Sequence, residues 1–204
     1  MESKLRKNDE AMTEVISTLL DNVFYTKHTE NFERVNDKMR QVSGIDVIFT
    51  YDGFEYVCDE KAAIHYINKV LPTFSLELSF IDRKDNLHDG WLIDEGKVNN
   101  SFLFVWIDKA KKDNVDSPSD VEKMEFALVR RDKIVGYLES LGWTKERLLQ
   151  KTVNLRNNPR EPRGDLERNG CRFNVSPQLV ENPVNVLIKR DKLIELSDLK
   201  GNFE

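Results

Sequence analysis

Three observations predict an α/β fold for this chain. Residues 9–22 place Met12, Val15, Ile16, Leu19 and Leu20 at spacings of three and four, the apolar stripe of an amphipathic helix. From Ile45 to Tyr51 and from Phe54 to Lys61 the period changes to two, with Asp52-Gly53 between the runs. Residues 74–80 alternate strictly, so Phe74, Leu76, Leu78 and Phe80 share one strand face and Ser75, Glu77 and Ser79 the other.

A chain of 204 residues fits a single domain, 1–204, and can bury a real core. With 39% apolar and 33% charged residues the composition is that of a soluble globular protein, neither disordered nor fibrous. No apolar run is long enough to span a membrane. The polar start Met1-Glu2-Ser3-Lys4-Leu5-Arg6-Lys7 is unlike a secretory signal, so a cytoplasmic location is expected. Two cysteines, Cys58 and Cys171, and three scattered histidines cannot build a disulfide framework or a thiolate zinc site.

The remaining elements follow in chain order. A second helix is predicted over about 30–41, ending before Gly44. Asp-Gly between two alternating runs is a strong hairpin signal, because glycine tolerates the positive φ of a two-residue turn. A helix over about 62–70 precedes Pro72, and strands are expected at 91–94 and 101–107. Residues 109–120 read as a surface loop, 125–130 as a strand, and 132–141 and about 144–153 as helices. The stretch 154–183 holds four prolines and reads as irregular; a strand over 184–189 and a short helix near 191–196 close the chain.

The net charge is −5, but it is unevenly spread. Residues 1–100 carry 12 Lys and Arg against 19 Asp and Glu, whereas 129–172 carry 11 against 6. The acidic half offers carboxylates for a cation, and the basic stretch offers a face for a polyanion; two differently solvated surfaces would account for the same numbers.

The hairpin turns sequence into geometry. A two-residue loop at Asp52-Gly53 sets Tyr51 opposite Phe54, and the same register sets Asp46 opposite Asp59. Facing carboxylates repel. Either they splay into water or a positive charge sits between them. Lys61 shares the face of Asp59, while Ile45, Val47, Phe49 and Tyr51 with Phe54, Tyr56 and Cys58 form the opposite, core-facing surface. Two carboxylates suit Mg²⁺, which takes oxygen ligands and keeps several waters, and a nearby lysine suits phosphodiester hydrolysis.

Asp46 followed by Asp59-Glu60-Lys61 on the next strand resembles the signature of the PD-(D/E)XK nucleases, an acid on one hairpin strand and an acid-any-lysine triplet on the other. Ile45 stands where the named pattern has proline. The likeness covers residues 9–107 and leaves 121–204 as a C-terminal α/β extension. It implies a restriction-endonuclease-like core, a central mixed β-sheet flanked by helices. It implies Mg²⁺ or Mn²⁺ held by Asp46, Asp59 and the Glu60 backbone carbonyl, with Asp46, Asp59 and Lys61 catalytic, and DNA as substrate, cut to a 5′-phosphate and a 3′-hydroxyl. Glu14 and Glu10 on the first helix, Glu77 and Gln41 are further candidates for the same site. Arg156, Arg160 and Arg163 in the Arg- and Asn-rich segment are candidates for phosphate contacts. No membrane partner is expected, and a homodimer would suit symmetric double-strand cleavage. The alternative is a nucleic-acid-binding or protein-interaction module on the same fold without turnover. Glycine-rich phosphate loops and serine-nucleophile elbows do not occur.

Overall fold

The computed structural model describes the backbone of residues 2–204 and the side chains of residues 8–204. The chain forms two compact units that interleave in sequence: unit 1 comprises Met1–Leu71, Val98–Arg130 and Ser197–Glu204, and unit 2 comprises Pro72–Lys97 and Arg131–Leu196. The division therefore does not follow the expected step from a motif region at 9–107 to an extension at 121–204.

Unit 1 begins with helix α1 (Glu2–Leu20), which runs on through a π-helical turn at Asp21–Tyr25 into α2 (Thr26–His28). Its apolar stripe does what the spacing predicts: Met12, Ile16, Leu19 and Leu20 are buried, joined by Phe24 and Tyr25. Strands β1 (Glu30–Arg34), β2 (Val47–Tyr51), β3 (Phe54–Ala62), β6 (Ser101–Ala110), β7 (Val121–Arg130) and β10 (Leu199–Phe203) form one sheet in the order β1-β2-β3-β6-β7-β10. Only β3 and β6 pair in parallel among these neighbours, so the sheet is mixed, as the α/β reading expects. The core on the α1 side gathers Val47, Phe49, Tyr56, Cys58, Leu103, Val105, Phe126 and Leu128.

The hairpin register is the predicted one, Tyr51 opposite Phe54 through Val47 opposite Cys58. Asp52 at φ 49° and Gly53 at φ 73° supply the two left-handed residues that this short turn needs. Phe102, Phe104, Trp106, Ala127 and Val129, on the other sheet face, are buried as well.

Three expectations in unit 1 are corrected. The helix predicted over 30–41 is replaced by β1 and by α3 (Lys38–Val42), which Asp37 caps by accepting the Arg40 N–H at 2.9 Å. The helix predicted over 62–70 is only a 3₁₀ turn, Ile64–Tyr66. There the Ala63 N–H donates to the Val105 carbonyl at 3.0 Å, and Asn68 at φ 63° ends any helical run. The loop predicted over 109–120 is shortened, because β6 reaches Ala110 and Pro118–Asp120 forms a 3₁₀ turn.

In unit 2, β4 (Thr73–Ile81), β5 (Leu87–Asp89), β8 (Cys171–Val175) and β9 (Val184–Lys189) form an antiparallel sheet in the order β5-β4-β9-β8. Helices α4 (Arg131–Ser140), α5 (Lys145–Asn157), α6 (Leu166–Asn169) and α7 (Arg190–Leu196) belong to the same unit. The strand expected at 91–94 is a turn, in which Ile93 and Asp94 donate to the Gly90 carbonyl and Arg131 donates to the Trp91 carbonyl at 3.0 Å. The stretch expected to be irregular, 154–183, instead holds the end of α5, α6 and β8; Phe173 is buried where β8 meets β9, opposite Val186. No helix among the described residues is long and apolar enough to cross a membrane.

Candidate functional site

Strand β3 carries the site. Successive side chains of a strand point to opposite faces, so Asp59 and Lys61 share one face of the sheet and Cys58 and Glu60 the other. Asp59 is 6% exposed, and its Oδ1 lies 2.7 Å from the Lys61 Nζ. A carboxylate this deeply buried requires a charged partner, and Lys61 supplies it two residues along the same strand.

Asp46 does not stand squarely across from Asp59 as the simple register predicts. Its N–H donates to the Cys58 carbonyl at 2.9 Å, so Asp46 and Val47 both lie against Cys58 and the ladder stops there. Its carboxylate instead accepts the Glu60 backbone N–H at 2.8 Å. The Asp46 side chain thus occupies the edge of β3 where the β2 backbone would have continued. By strand alternation the Glu60 carbonyl is directed to the same edge as its N–H.

The electrostatics match this crowding. Burial first, then the negative charges of Asp59 and Glu60, push the Asp46 pKa up from 3.8 to about 7, against the pull of the Glu60 N–H and the Lys61 ammonium. Asp46, Asp59 and the Glu60 carbonyl are all hard oxygen donors, the kind that a magnesium-type ion takes. Among the described residues no three His, Cys, Asp or Glu side chains converge at ligand spacing.

Glu60, the middle residue of the triplet, is tied into a network across unit 1. Its carboxylate accepts from Ser17 Oγ at 2.8 Å, Tyr25 Oη at 2.9 Å, and Arg34 Nη1 at 2.9 Å and Nη2 at 3.0 Å. Arg34 also donates through Nε to both carboxylate oxygens of Asp21 at 3.0 Å. Burial alone would lower the Arg34 pKa, but the hydrogen bonds to Asp21 and Glu60 outweigh it and hold the guanidinium charged. Burial, then the Glu60 charge, keeps the Tyr25 hydroxyl protonated.

The network forms one wall of a cleft of about 590 Å³ lined by Asp9, Glu10, Thr13, Glu14, Ser17, Arg34, Val35, Asn36, Gln41, Asp46 and Glu60. The structure therefore brings Glu10, Glu14 and Gln41 to the same cleft as Asp46, and Gln41 donates to the Val35 carbonyl at 2.9 Å. Asp59 and Lys61 do not line it. Glu77 lies in unit 2, half-buried on β4.

Of the three predicted phosphate contacts, Arg156 is bonded within unit 2: its guanidinium donates to Ser79 Oγ at 2.8 Å, to the Ser79 carbonyl at 3.0 Å and to the Asn182 carbonyl at 3.1 Å. Arg163 reaches Asn174 Oδ1 at 3.4 Å, and Arg160 is exposed. Ser17, Asp21, Tyr25 and Arg34 were not legible as site residues. Ser17 alone carries a local hint, three residues after Glu14 on the polar side of α1.

No family model matches the chain, and no curated protein or solved structure matches it significantly.

Proposed function

We propose that this protein is a Mg²⁺- or Mn²⁺-dependent nuclease with a restriction-endonuclease-like core, hydrolysing DNA phosphodiester bonds. The observation that carries the reading is the buried Asp59–Lys61 pair at 2.7 Å on the strand whose edge is capped by the Asp46 carboxylate. Asp46, Asp59 and the Glu60 carbonyl would hold the cation. When bound, such a cation supplies a water of lowered pKa and offsets negative charge on the phosphate. With the cation offsetting part of the Asp59 charge, Lys61 would be able to orient a water or steady the developing charge of the phosphoryl oxygens. The raised Asp46 pKa supports the reading, since burial and then the charges of Asp59 and Glu60 raise it, and an added positive charge would favour the ionised carboxylate against both.

A second reading, a nucleic-acid-binding or protein-interaction module without turnover, is favoured by one fact. Lys61 balances the charge of Asp59 from within the same strand.

The test compares wild type with Asp59→Ala and Lys61→Ala on supercoiled, linear and single-stranded DNA, with Mg²⁺ or with chelator. Mg²⁺-dependent cleavage lost in both variants supports the nuclease. Cleavage that persists in both removes this site, and binding without any cleavage favours the module.

A further inference from the structure

The basic excess of residues 129–172 acquires a shape in unit 2. Two adjoining recesses share Leu141, Trp143 and Lys151. One, of about 520 Å³, is lined further by Pro162, Gly164, Arg168, Asn169, Gly170, Cys171 and Phe173. The other, of about 390 Å³, continues past Gly142, Arg147, Gln150, Asn154 and Glu161. Arg147 and Arg168 are exposed at its rim.

The floor is part aromatic, with Phe173 buried and Trp143 half-buried. Trp143 and Phe173 meet edge to face with ring centroids 4.7 Å apart, and the Lys151 ammonium sits 5.7 Å from the Phe173 centroid. Lys151 is tied to Glu161 at 2.6 Å, which cancels the groove's single lining carboxylate and leaves Arg147 and Arg168 as the uncompensated charges of the lining. A half-buried Trp143 between exposed arginines suits a flat base flanked by phosphates. In duplex DNA the bases are stacked inside and only the backbone reaches such a recess, whereas an unpaired nucleotide can offer both parts.

We propose that this groove binds single-stranded nucleic acid, with phosphates at Arg147 and Arg168 and a base against the Trp143 wall. The site goes beyond the hydrolytic centre of unit 1 and differs from the expected contacts at Arg156, Arg160 and Arg163.

The probe is a fluorescein-labelled oligothymidine of 15 residues, followed by anisotropy on the full chain in chelator, so that hydrolysis plays no part. The wild type is expected to bind it, and Arg147→Ala combined with Arg168→Ala to weaken binding about tenfold and to lower the slope of log affinity against log salt by about 1.4. Trp143→Leu is expected to weaken it about tenfold at unchanged salt slope. Circular dichroism melting checks that variant, and the arginine pair, being exposed, tests the groove even if Trp143→Leu is poorly folded. The proposal is overturned by absence of wild-type binding, by unchanged affinity in the arginine pair, by tighter binding of a duplex of equal length, or by poly-aspartate competing as well as oligothymidine. Because cleavage is excluded here and is read separately in the Asp59 and Lys61 variants, failure of one reading leaves the other standing.

Discussion

The Asp46 carboxylate accepts the backbone N–H of Glu60 at 2.8 Å, which makes an acidic side chain the terminal partner of a β-ladder. This carboxylate is therefore held in place by the strand that carries the other site residues.

Asp46 makes the metal-free protein less stable as pH rises. Its folded pKa of about 7 lies above its ordinary 3.8, so the folded state keeps a proton that the unfolded chain releases. The stabilisation is full below about pH 4, declines through the window between the two values, and is gone above pH 7, a change of at most about 4 kcal/mol. Urea unfolding in chelator at pH 5 and pH 8 should show this decline in wild type and a smaller one in Asp46→Asn. At pH 8, Mg²⁺ should raise the wild-type midpoint more than that of the variant.

Arg34 clamps two half-buried or buried carboxylates, Asp21 and Glu60. Arg34→Met leaves both without their cation and should cost about 3 kcal/mol or more. Arg34→Lys keeps the charge but not the planar fork that spans two acids, and should recover only part of the loss. Chemical denaturation at pH 7 measures both.

Lys61→Met preserves much of the side-chain volume while removing the ammonium from Asp59. Cleavage should fall about a hundredfold or more, and the variant should unfold at lower denaturant because Asp59 loses its cation, so near-ultraviolet circular dichroism at the assay temperature is needed to show that it is folded. A variant that cleaves like wild type would remove Lys61 from the chemistry.

Gly90→Ala tests the tight approach of the 90–94 turn to β4 in unit 2. A β-carbon at Gly90 would lie 2.5 Å from the Glu77 carbonyl carbon and oxygen, and backbone atoms cannot step aside as a side-chain end can. A loss of about 3 kcal/mol is expected by thermal unfolding.

Legibility in the sequence followed the range of the forces involved. The hairpin register was readable because Asp52-Gly53 dictates it locally, and the burial of Val47, Phe49, Tyr56 and Cys58 follows from alternation. Strand β1 was not readable: four of its five residues are exposed, so the segment Glu30-Asn31-Phe32-Glu33-Arg34 carries no alternation, and pairing to β2 decides its conformation. The turn at Ile64–Tyr66 was misread for a similar reason, since its apolar residues are drawn to β6 through Ala63 and Asn68 rather than along a helix face. At the site, Asp59 and Lys61 fall on the predicted common face. The shift of Asp46 off the ladder and the clamp of Arg34 on Glu60 depend on contacts between residues 14 and 26 apart, for which no local pattern exists.

The interleaving of the two units also sets the order in which their strands are synthesised. Strand β10, residues Leu199–Phe203, pairs with β7 along its whole length, yet both segments of unit 2 are synthesised before it. On the ribosome, unit 2 has all its strands in hand while unit 1 still shows β7 as an open edge, with its amides waiting for residues made about seventy positions later. A nascent chain halted after residue 196 would expose that edge to other chains. Aggregation of such a fragment, relieved by adding back a peptide of residues 197–204, would be the signature of a β7 edge that β10 covers.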